Sequence, residues 1–480
     1  MSSLIEIRGE RLRKIERLRA LGIEPYPSKS HRSHTNKEVL ENFAGLDSKT
    51  VTLTGRLMSW REHGQLIFAD LQDASGKIQL YIKGNGLLST SATTQGIGFG
   101  DLGLLDIGDI VEVSGKVTKT QRGVISIEPS KIKLLAKSIR PLPEKWEGVQ
   151  DPEILHRQRY LDMIMDPDHK WRFQKAAEIL FAIREFMHKK GFLEIKTPIL
   201  QHTYGGTSAK PFRTHVNALG VDYYLAVAHE LYLKRLITAG FENVFNIVGY
   251  FRNEGIDRSH NPEFNMLETM SAFANYEFNM DLVENLYRYI GETVFTKTTF
   301  NIEGELVDFA KPWRRVSMVD LVKEYTGKDL SGDELVKIFE EQVEQKLIQP
   351  TFVMNHPVEV SPLAKTLASD PRFVERFEIF IGGIEGGDNW TELNDPIELF
   401  RRFQSQAAKR EAGEEETHPM DIEFIEMMEY GMPPTTGLGP GIERLTMMFT
   451  EARNIDDVIF FPLLRPQAST ELQRQIYGIK

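Results

Sequence analysis

Between residues 51 and 135 the apolar positions recur at alternate places, the period of strands with one buried face. Five runs carry it: VTLTGRLMS (51–59), QLIFADLQ (65–72), KIQLYIK (77–83), DIVEVSGKVTK (109–119) and VISIEPSKIKLL (124–135). Turn chemistry such as Asp73-Ala74-Ser75-Gly76 separates some of them. Elsewhere the period changes. Phe173, Ala176, Ala177, Leu180, Ile183 and Met187 fall at helical spacing and predict an amphipathic helix over 171–190. A basic N-terminal helix should stop near Gly22, with Pro25 and Pro27 just beyond it.

Five short strands in about 85 residues fit a small OB-type barrel. Between its third and fourth strands, residues 84–105 are rich in Gly, Ser and Thr and read as a loop insertion, either partly helical or mobile. Such barrels bind single-stranded nucleic acid by stacking bases on exposed aromatics. Phe68 and Tyr81 fall on the second and third strands, with Gln79 able to meet a base edge. Both rings as barrel core is the competing reading. Residues 141–170, opening on Pro141 and Pro143, read as a hinge between a first domain (1–140) and a second (171–480). In the second, GFLEIKTPIL (191–200) is expected as a strand whose Pro198 places it at an edge or interface. NVFNIVGYFRNE (243–254) and FEIFIGGIEG (377–386) add further strands, and 404–418 a charged helix and loop. Hairpin-joined strands with flanking helices imply an α+β fold on a mostly antiparallel sheet.

The 480-residue chain is 41% hydrophobic and 26% charged, ordinary for a globular protein. No apolar run approaches the ~20 residues that span a bilayer, and no apolar signal core opens the chain. The absence of cysteine rules out disulfides and thiolate zinc sites, and leads us to expect a reducing cytoplasm. A net charge of −11 argues against a protein that coats nucleic acid by charge alone. The helix with Arg8, Arg11, Arg13, Lys14, Arg17 and Arg19 is either a salt-bridged solvated face or a local RNA-facing patch.

The chemistry concentrates in two segments. GYFRNEGIDRSHNPEF (249–264) gathers Arg252, Glu254, His260, Asn261 and Phe264. Arginine forks suit phosphate oxygens, and a phenylalanine face suits an adenine ring. Arg252 and Glu254, alternating on a strand, should share one face. GLGPGIERL (437–445) sets Gly437, Gly439 and Gly441 before Arg444 on an expected helix, a backbone that phosphates can approach closely. Glu378 and Glu385 lie seven apart around Gly382-Gly383, and a hairpin turn or bulge there would bring both carboxylates together. Two carboxylates plus phosphates are how Mg²⁺ is usually held. Glu230 and Glu392 are acids suited to a cationic substrate.

Through these segments the chain resembles the bacterial-type class II lysyl-tRNA synthetases. The resemblance runs nearly the whole length: GIEPYP, FADLQDASGKIQLYI, RPLPEKW, HRQRYLD, GGTSAKPF, HELYLKRL, FRNEG with HNPEF, TELNDP, GLGPGIERL and FFPLLRP. It implies activation of lysine by ATP to lysyl-adenylate and pyrophosphate, then transfer to tRNA(Lys). It also implies that Arg252 meets the α-phosphate and the lysine carboxylate. Glu254 and Phe264 would hold adenine; His260, Asn261, Gly441 and Arg444 would serve the nucleotide; Glu378 and Glu385 would hold Mg²⁺. Gly206, Glu230, Glu268, Met270, Asp388 and Glu392 would line the lysine pocket. Pro198 would lie in a homodimer interface, and the barrel, with Phe68 and Gln79, would read the anticodon loop.

Three positions depart from the family pattern. Met270 stands where a tyrosine is usual, and a hydroxyl lost beside a buried cation costs on the order of 1–3 kcal/mol. Asp388 stands where an asparagine is usual, unless Asn389 takes that role. His229 replaces a proline before Glu230. Rival readings are a class II synthetase for another amino acid, a paralogue that lysylates protein, and a non-enzymatic RNA-binding regulator. The acids of the pocket, the presence of the barrel, and intact Arg252, Glu254, Glu385 and Arg444 argue against each in turn. Ser28-Lys29-Ser30 has no nucleotide fold before it, which excludes a class I synthetase.

Overall fold

The computed structural model describes residues 3–143, 152–207, 209–411 and 419–479. The chain divides into two compact units, Met1–Gln150 with Pro466–Lys480, and Asp151–Arg465. The tail from Pro466, expected within 171–480, thus belongs to the first unit. There Tyr477 accepts a hydrogen bond from Arg140 and lies under the guanidinium of Arg8. Of the expected hinge, 144–151 falls outside the described residues, and helices at Pro152–Arg157 and Arg159–Met165 open the second unit.

In the first unit β1 (Thr50–His63), β2 (Leu66–Asp73), β3 (Gly76–Lys83), β4 (Ile110–Lys119) and β5 (Ile125–Ala136) close a barrel in the order β1-β2-β3-β5-β4. Alternation decides which face is inside. Ile67, Ala69 and Leu71 of β2 and Ile78, Leu80 and Ile82 of β3 are buried in one core. Phe68 and Tyr81 therefore point outward. They are paired in register and stacked with centroids 5.3 Å apart, so the core reading of these rings does not hold. Gln79 shares that face and accepts a hydrogen bond from Ser126. Residues 84–105 are partly helical and plug the barrel. A 3₁₀ turn at Phe99–Leu104 drives Leu102 and Leu104, with Ile97 and Leu105, into the barrel core.

The N-terminal helix α1 (Leu4–Ala20) splits the two readings of its basic face. Arg11 is buried and donates to the carbonyls of Ser138 and Arg140, and Lys14 pairs with Asp106 at 2.8 Å. Arg17 and Arg19 remain exposed.

The second unit is built on an eight-stranded sheet flanked by the helices α2 (Pro167–Lys189) and α4 (Tyr276–Ile290) and, on the other face, α3 (Glu230–Thr238). Its strands are β6 (Leu193–Glu194), β7 (Asn243–Phe251), β8 (Glu263–Ala272), β9 (Arg314–Ser317), β10 (Thr351–Met354), β11 (Arg376–Ile381), β12 (Ile384–Thr391) and β13 (Thr435–Pro440). Their order is β9-β10-β11-β12-β13-β8-β7-β6, antiparallel except at the two edge pairs. The strand expected over 191–200 shrinks to the two residues of edge strand β6. Pro198 cannot donate to a ladder, and Leu200–Gln201 pairs instead in a separate three-stranded sheet. Helix α5 (Ile442–Thr450) follows β13 directly. The charged stretch 404–418 is helical to Glu411, and 412–418 lies outside the described residues.

Alternation divides the sheet's labour. Phe245, Leu267, Phe377, Ile379 and Leu438 face the helix side with Ile179, Ile183, Met187 and Leu286 of α2 and α4. Their strand neighbours, Glu268, Glu378 and Gly437 among them, face the opposite side and line a cavity. The β11–β12 hairpin turns on Gly382 and Gly383, both at positive φ (+64° and +70°), a conformation only glycine adopts without strain. A Cβ on Gly382 would also collide with Ile302. Gly382→Ala is expected to cost at least about 1–2 kcal/mol in denaturant unfolding of the second unit; an unchanged midpoint would contradict this account of the turn.

Candidate active site

Two adjoining cavities occupy the open face of the sheet, and Arg252 lines both. The strand expected through Glu254 stops at Phe251. Beyond it the Arg252 N–H bonds Pro262, the Asn253 N–H bonds Lys210, and the chain turns away. Arg252 and Glu254 therefore do not share a strand face, yet both reach the smaller cavity, of about 130 Å³. Arg252 lies over the Phe264 ring at 5.3 Å, and Phe264 stacks on Tyr250. Glu254 is exposed and accepts from the Lys210 N–H.

The same cavity collects His260, Asn261, Phe264, Gly441 and Arg444. Arg444 in the first turn of α5 donates to the Glu385 carbonyl at 2.8 Å and lies 2.8 Å from His260 Nε2. An arginine cannot accept, so Nε2 is the acceptor and Nδ1–H donates to Asp257, 2.8 Å away. His260 thus orients Arg444 instead of presenting a free donor. Asn261 is buried and donates to the Glu263 carbonyl, leaving its own Oδ1 without a partner. Gly441, at the N-cap of α5, faces the cavity with the helix's positive end.

Glu378 and Glu385 do come together. The β11–β12 hairpin has a bulge between Ile379 and Phe380, which restores both carboxylates to one face. Arg376 donates to Glu378 at 2.6 Å and Arg444 to Glu385 at 3.1 Å. Desolvation, with Glu385 adding repulsion, still pushes Glu378 up to about 7. A divalent cation would relieve that repulsion, so the pair fits Mg²⁺. Among the described residues no group of three or more His, Cys, Asp or Glu is arranged as metal ligands, so phosphates would complete the shell.

The larger cavity, about 270 Å³, has Gly206, Glu230, Glu268, Met270, Asp388 and Glu392 in its wall. Asp388 is held by both arms of Arg376, at 3.0 and 2.8 Å, a guanidinium it shares with Glu378, and burial still pushes its carboxyl up. Asn389 points to the opposite face, donating to Thr436 and Gly437, so it does not take the place of Asp388. Gly437 makes room at the far end: a Cβ there would lie 2.5 Å from the Met270 methyl and 3.0 Å from Glu392 Oε1. Pro198 is exposed between the two short strands, near exposed Leu193, Ile199 and Leu200.

The pocket also depends on Lys234, which the motifs do not single out. It is 2% exposed and donates to Glu230 Oε1 at 3.0 Å and Glu392 Oε2 at 2.5 Å. Its position four after Glu230 on a helix was the available signal. Arg376, two before Glu378 on one strand, was another. Trp390 also donates to Glu392 Oε2, but Glu392 Oε1 has no partner. Three acids share one buried ammonium. Desolvation accordingly pushes Glu268 and Glu392 up to about 8. These carboxyls keep protons that the unfolded chain releases near 4.5, so they turn destabilising as pH rises from there towards 8.

A sheet of this topology, carrying an arginine-lined cavity beside an acidic one, defines a class II synthetase catalytic unit. The profile of the family described as tRNA synthetases class II (D, K and N) matches residues 151–465, and that of an OB-fold nucleic acid binding domain matches 51–142. The chain belongs to this class II family. Over 97% of its length it is 44% identical to the lysine–tRNA ligase of Thermoanaerobacter sp. (strain X514) and 45% identical to that of Clostridium botulinum (strain Hall), covering 97% of each. It is also 45% identical to the lysine–tRNA ligase of Carboxydothermus hydrogenoformans, covering 99% of that protein.

Removing Lys234 leaves Glu230 and Glu392 buried without a counter-charge. Lys234→Met is expected to lower unfolding free energy by about 3–5 kcal/mol in denaturant titration, and a loss under 1 kcal/mol would refute that balance.

Proposed function

We propose that the chain is a lysine–tRNA ligase that activates lysine with ATP and passes the lysyl group to the 3′ end of tRNA(Lys). The observation that carries this reading is the unpartnered Glu392 Oε1, at the end of the cavity where Glu230, Glu268 and Glu392 share the one buried ammonium of Lys234 behind its wall. A ligand side chain ending in an ammonium supplies the missing charge and the missing donor. Met270 brings a thioether rather than a hydroxyl to that end, leaving the recognition to the carboxylates.

In the first step a lysine carboxylate oxygen bonds to the α-phosphorus while the bond to the β-phosphate bridge breaks, releasing pyrophosphate. Arg252, set between the two cavities, neutralises charge on both the carboxylate and the α-phosphate. Phe264 and Glu254 receive adenine, and Arg444, oriented by His260, meets the outer phosphates with Asn261 and Gly441 beside it. Mg²⁺ held at Glu378 and Glu385 would supply charge neutralisation on the phosphates. In the second step a terminal ribose hydroxyl of the tRNA attacks the lysyl carbonyl, and AMP leaves with the carboxylate–phosphate oxygen. Most of the catalysis is positioning and fixed charge.

The barrel's Phe68–Tyr81 platform with Gln79 beside it suits unstacked anticodon bases. The exposed apolar stretch around Pro198 supports a homodimer. Among the described residues no helix is long and apolar enough to cross a membrane, and a chain without cysteine fits a reducing cytoplasm.

ATP–pyrophosphate exchange run with each of the twenty amino acids tests the reading. Exchange driven by lysine alone is expected; exchange with another amino acid, or none, would overturn it. Because Glu268 and Glu392 must ionise to hold the ammonium, the KM for lysine should fall by more than about tenfold between pH 6 and 8. Phe68→Ala should weaken tRNA binding about 5- to 100-fold with pyrophosphate exchange unchanged; equal loss of both would remove the barrel from recognition.

A further inference from the structure

His229 lies buried at the N-cap of α3, immediately before Glu230. Its main-chain N–H donates to Glu268 Oε2 at 3.2 Å, and the Tyr250 hydroxyl donates to the same oxygen at 2.7 Å. One oxygen of Glu268 is thus held by two donors. The imidazole is fixed at both nitrogens. Nε2 lies 3.3 Å from the Gly249 carbonyl, which can only accept, so Nε2 carries the proton. Nδ1 then accepts from the Thr197 hydroxyl at 2.8 Å, and Thr197 accepts in turn from Asn246 at 2.9 Å. Burial pushes the ring down to about 4, so this one tautomer persists across the neutral range. The ring joins three separate stretches of chain: the segment after β6, strand β7 and the start of α3. It also holds residue 229 at φ −117°, well away from the −65° that proline imposes.

We propose that His229 is a positioning residue of the amino-acid pocket: its main-chain N–H, which a proline would lack, holds Glu268 Oε2 and so directs that carboxylate at the bound amino acid, while the ring clamped between Thr197 and Gly249 only refines that aim. This rests on the lysine reading above. The groups that face Glu268 are Glu230 and Lys234 from α3, Tyr250 from β7, Arg252 just after it, and Glu392 across the cavity. Burial and Glu230 oppose its ionisation; the His229 N–H and the Tyr250 hydroxyl favour it. Losing one of the two donors shifts the ionised population to higher pH.

The test compares His229→Ala, which loses the ring and keeps the N–H, with His229→Pro, which loses both. KM and kcat for lysine are read by pyrophosphate exchange from pH 6 to 9. His229→Pro is expected to raise KM about tenfold, with the acid limb of its pH profile moved upward and kcat within about twofold. His229→Ala should show less than a third of that rise. Equal rises in the two variants, or a rise without movement of the pH profile, would overturn the proposal. Should His229→Pro not fold, amide hydrogen exchange at residue 229 decides. In Glu268→Ala it should quicken about tenfold or more while the neighbouring α3 amides keep their rates, and an unchanged rate would overturn the proposal. That measurement needs no substrate. If the parent enzyme shows no lysine-dependent exchange, the lysine reading fails separately.

Discussion

An unequal number of buried charges on one face of one sheet is the constraint on which the active site depends. The larger cavity has six carboxyl groups in its wall, on Glu230, Glu268, Glu378, Glu385, Asp388 and Glu392, against two guanidiniums, on Arg252 and Arg376. Lys234 behind it and Arg444 beside it add two more cations. Charges removed from water are tolerated only when paired and hydrogen-bonded, and here the pairing is incomplete by design of the fold. The deficit differs between the two ends. Near Arg252, Arg376 and Arg444 three carboxylates meet three guanidiniums, with Arg376 shared by Glu378 and Asp388, whereas around Lys234 three acids share one ammonium. The first end is therefore ready for anionic phosphates bridged by a metal, and the second for a cationic side chain.

The apolar half of the sheet makes this arrangement affordable. Aromatic and aliphatic residues on the sheet's helix side, Phe245, Leu267, Phe377 and Leu438 among them, bury a continuous core against α2 and α4. That burial contributes the stability that the charged face subtracts. The β11–β12 bulge and the diglycine turn then set which carboxylates share the cavity. A one-residue slip in that hairpin would turn each acid into the core.

The departures from the family pattern have different fates. Asp388 places a carboxyl where a neutral amide is usual, and both arms of Arg376, an arginine it shares with Glu378, hold it. Met270 offers no hydroxyl, and the adjacent Glu392 Oε1 stays without a donor. His229 adds a main-chain N–H where a proline has none, and that N–H lands on Glu268. The three changes lie around one pocket, and each alters how a carboxylate there is satisfied.

Local periodicity was enough to determine the five barrel strands, the amphipathic α2, and the strand-to-helix passage from Gly437 to Arg444. In those segments side-chain spacing and turn residues act over a few positions. The chemical inventory was also legible, because an arginine, an acid and an aromatic close in sequence have few structural reasons to be there. Only the tertiary structure decided that β7 ends at Phe251, that residues 84–105 plug the barrel, and that Phe68 and Tyr81 face outward. It alone showed that Glu378 and Glu385 share a face across a bulge. The pairing of Lys234 with Glu392, 158 positions away along the chain, belongs to the same class. The physical reason is common to all of these. Charge balance and ring exposure depend on what arrives from distant strands, and a single sequence read without its contacts carries the partners but not their meeting.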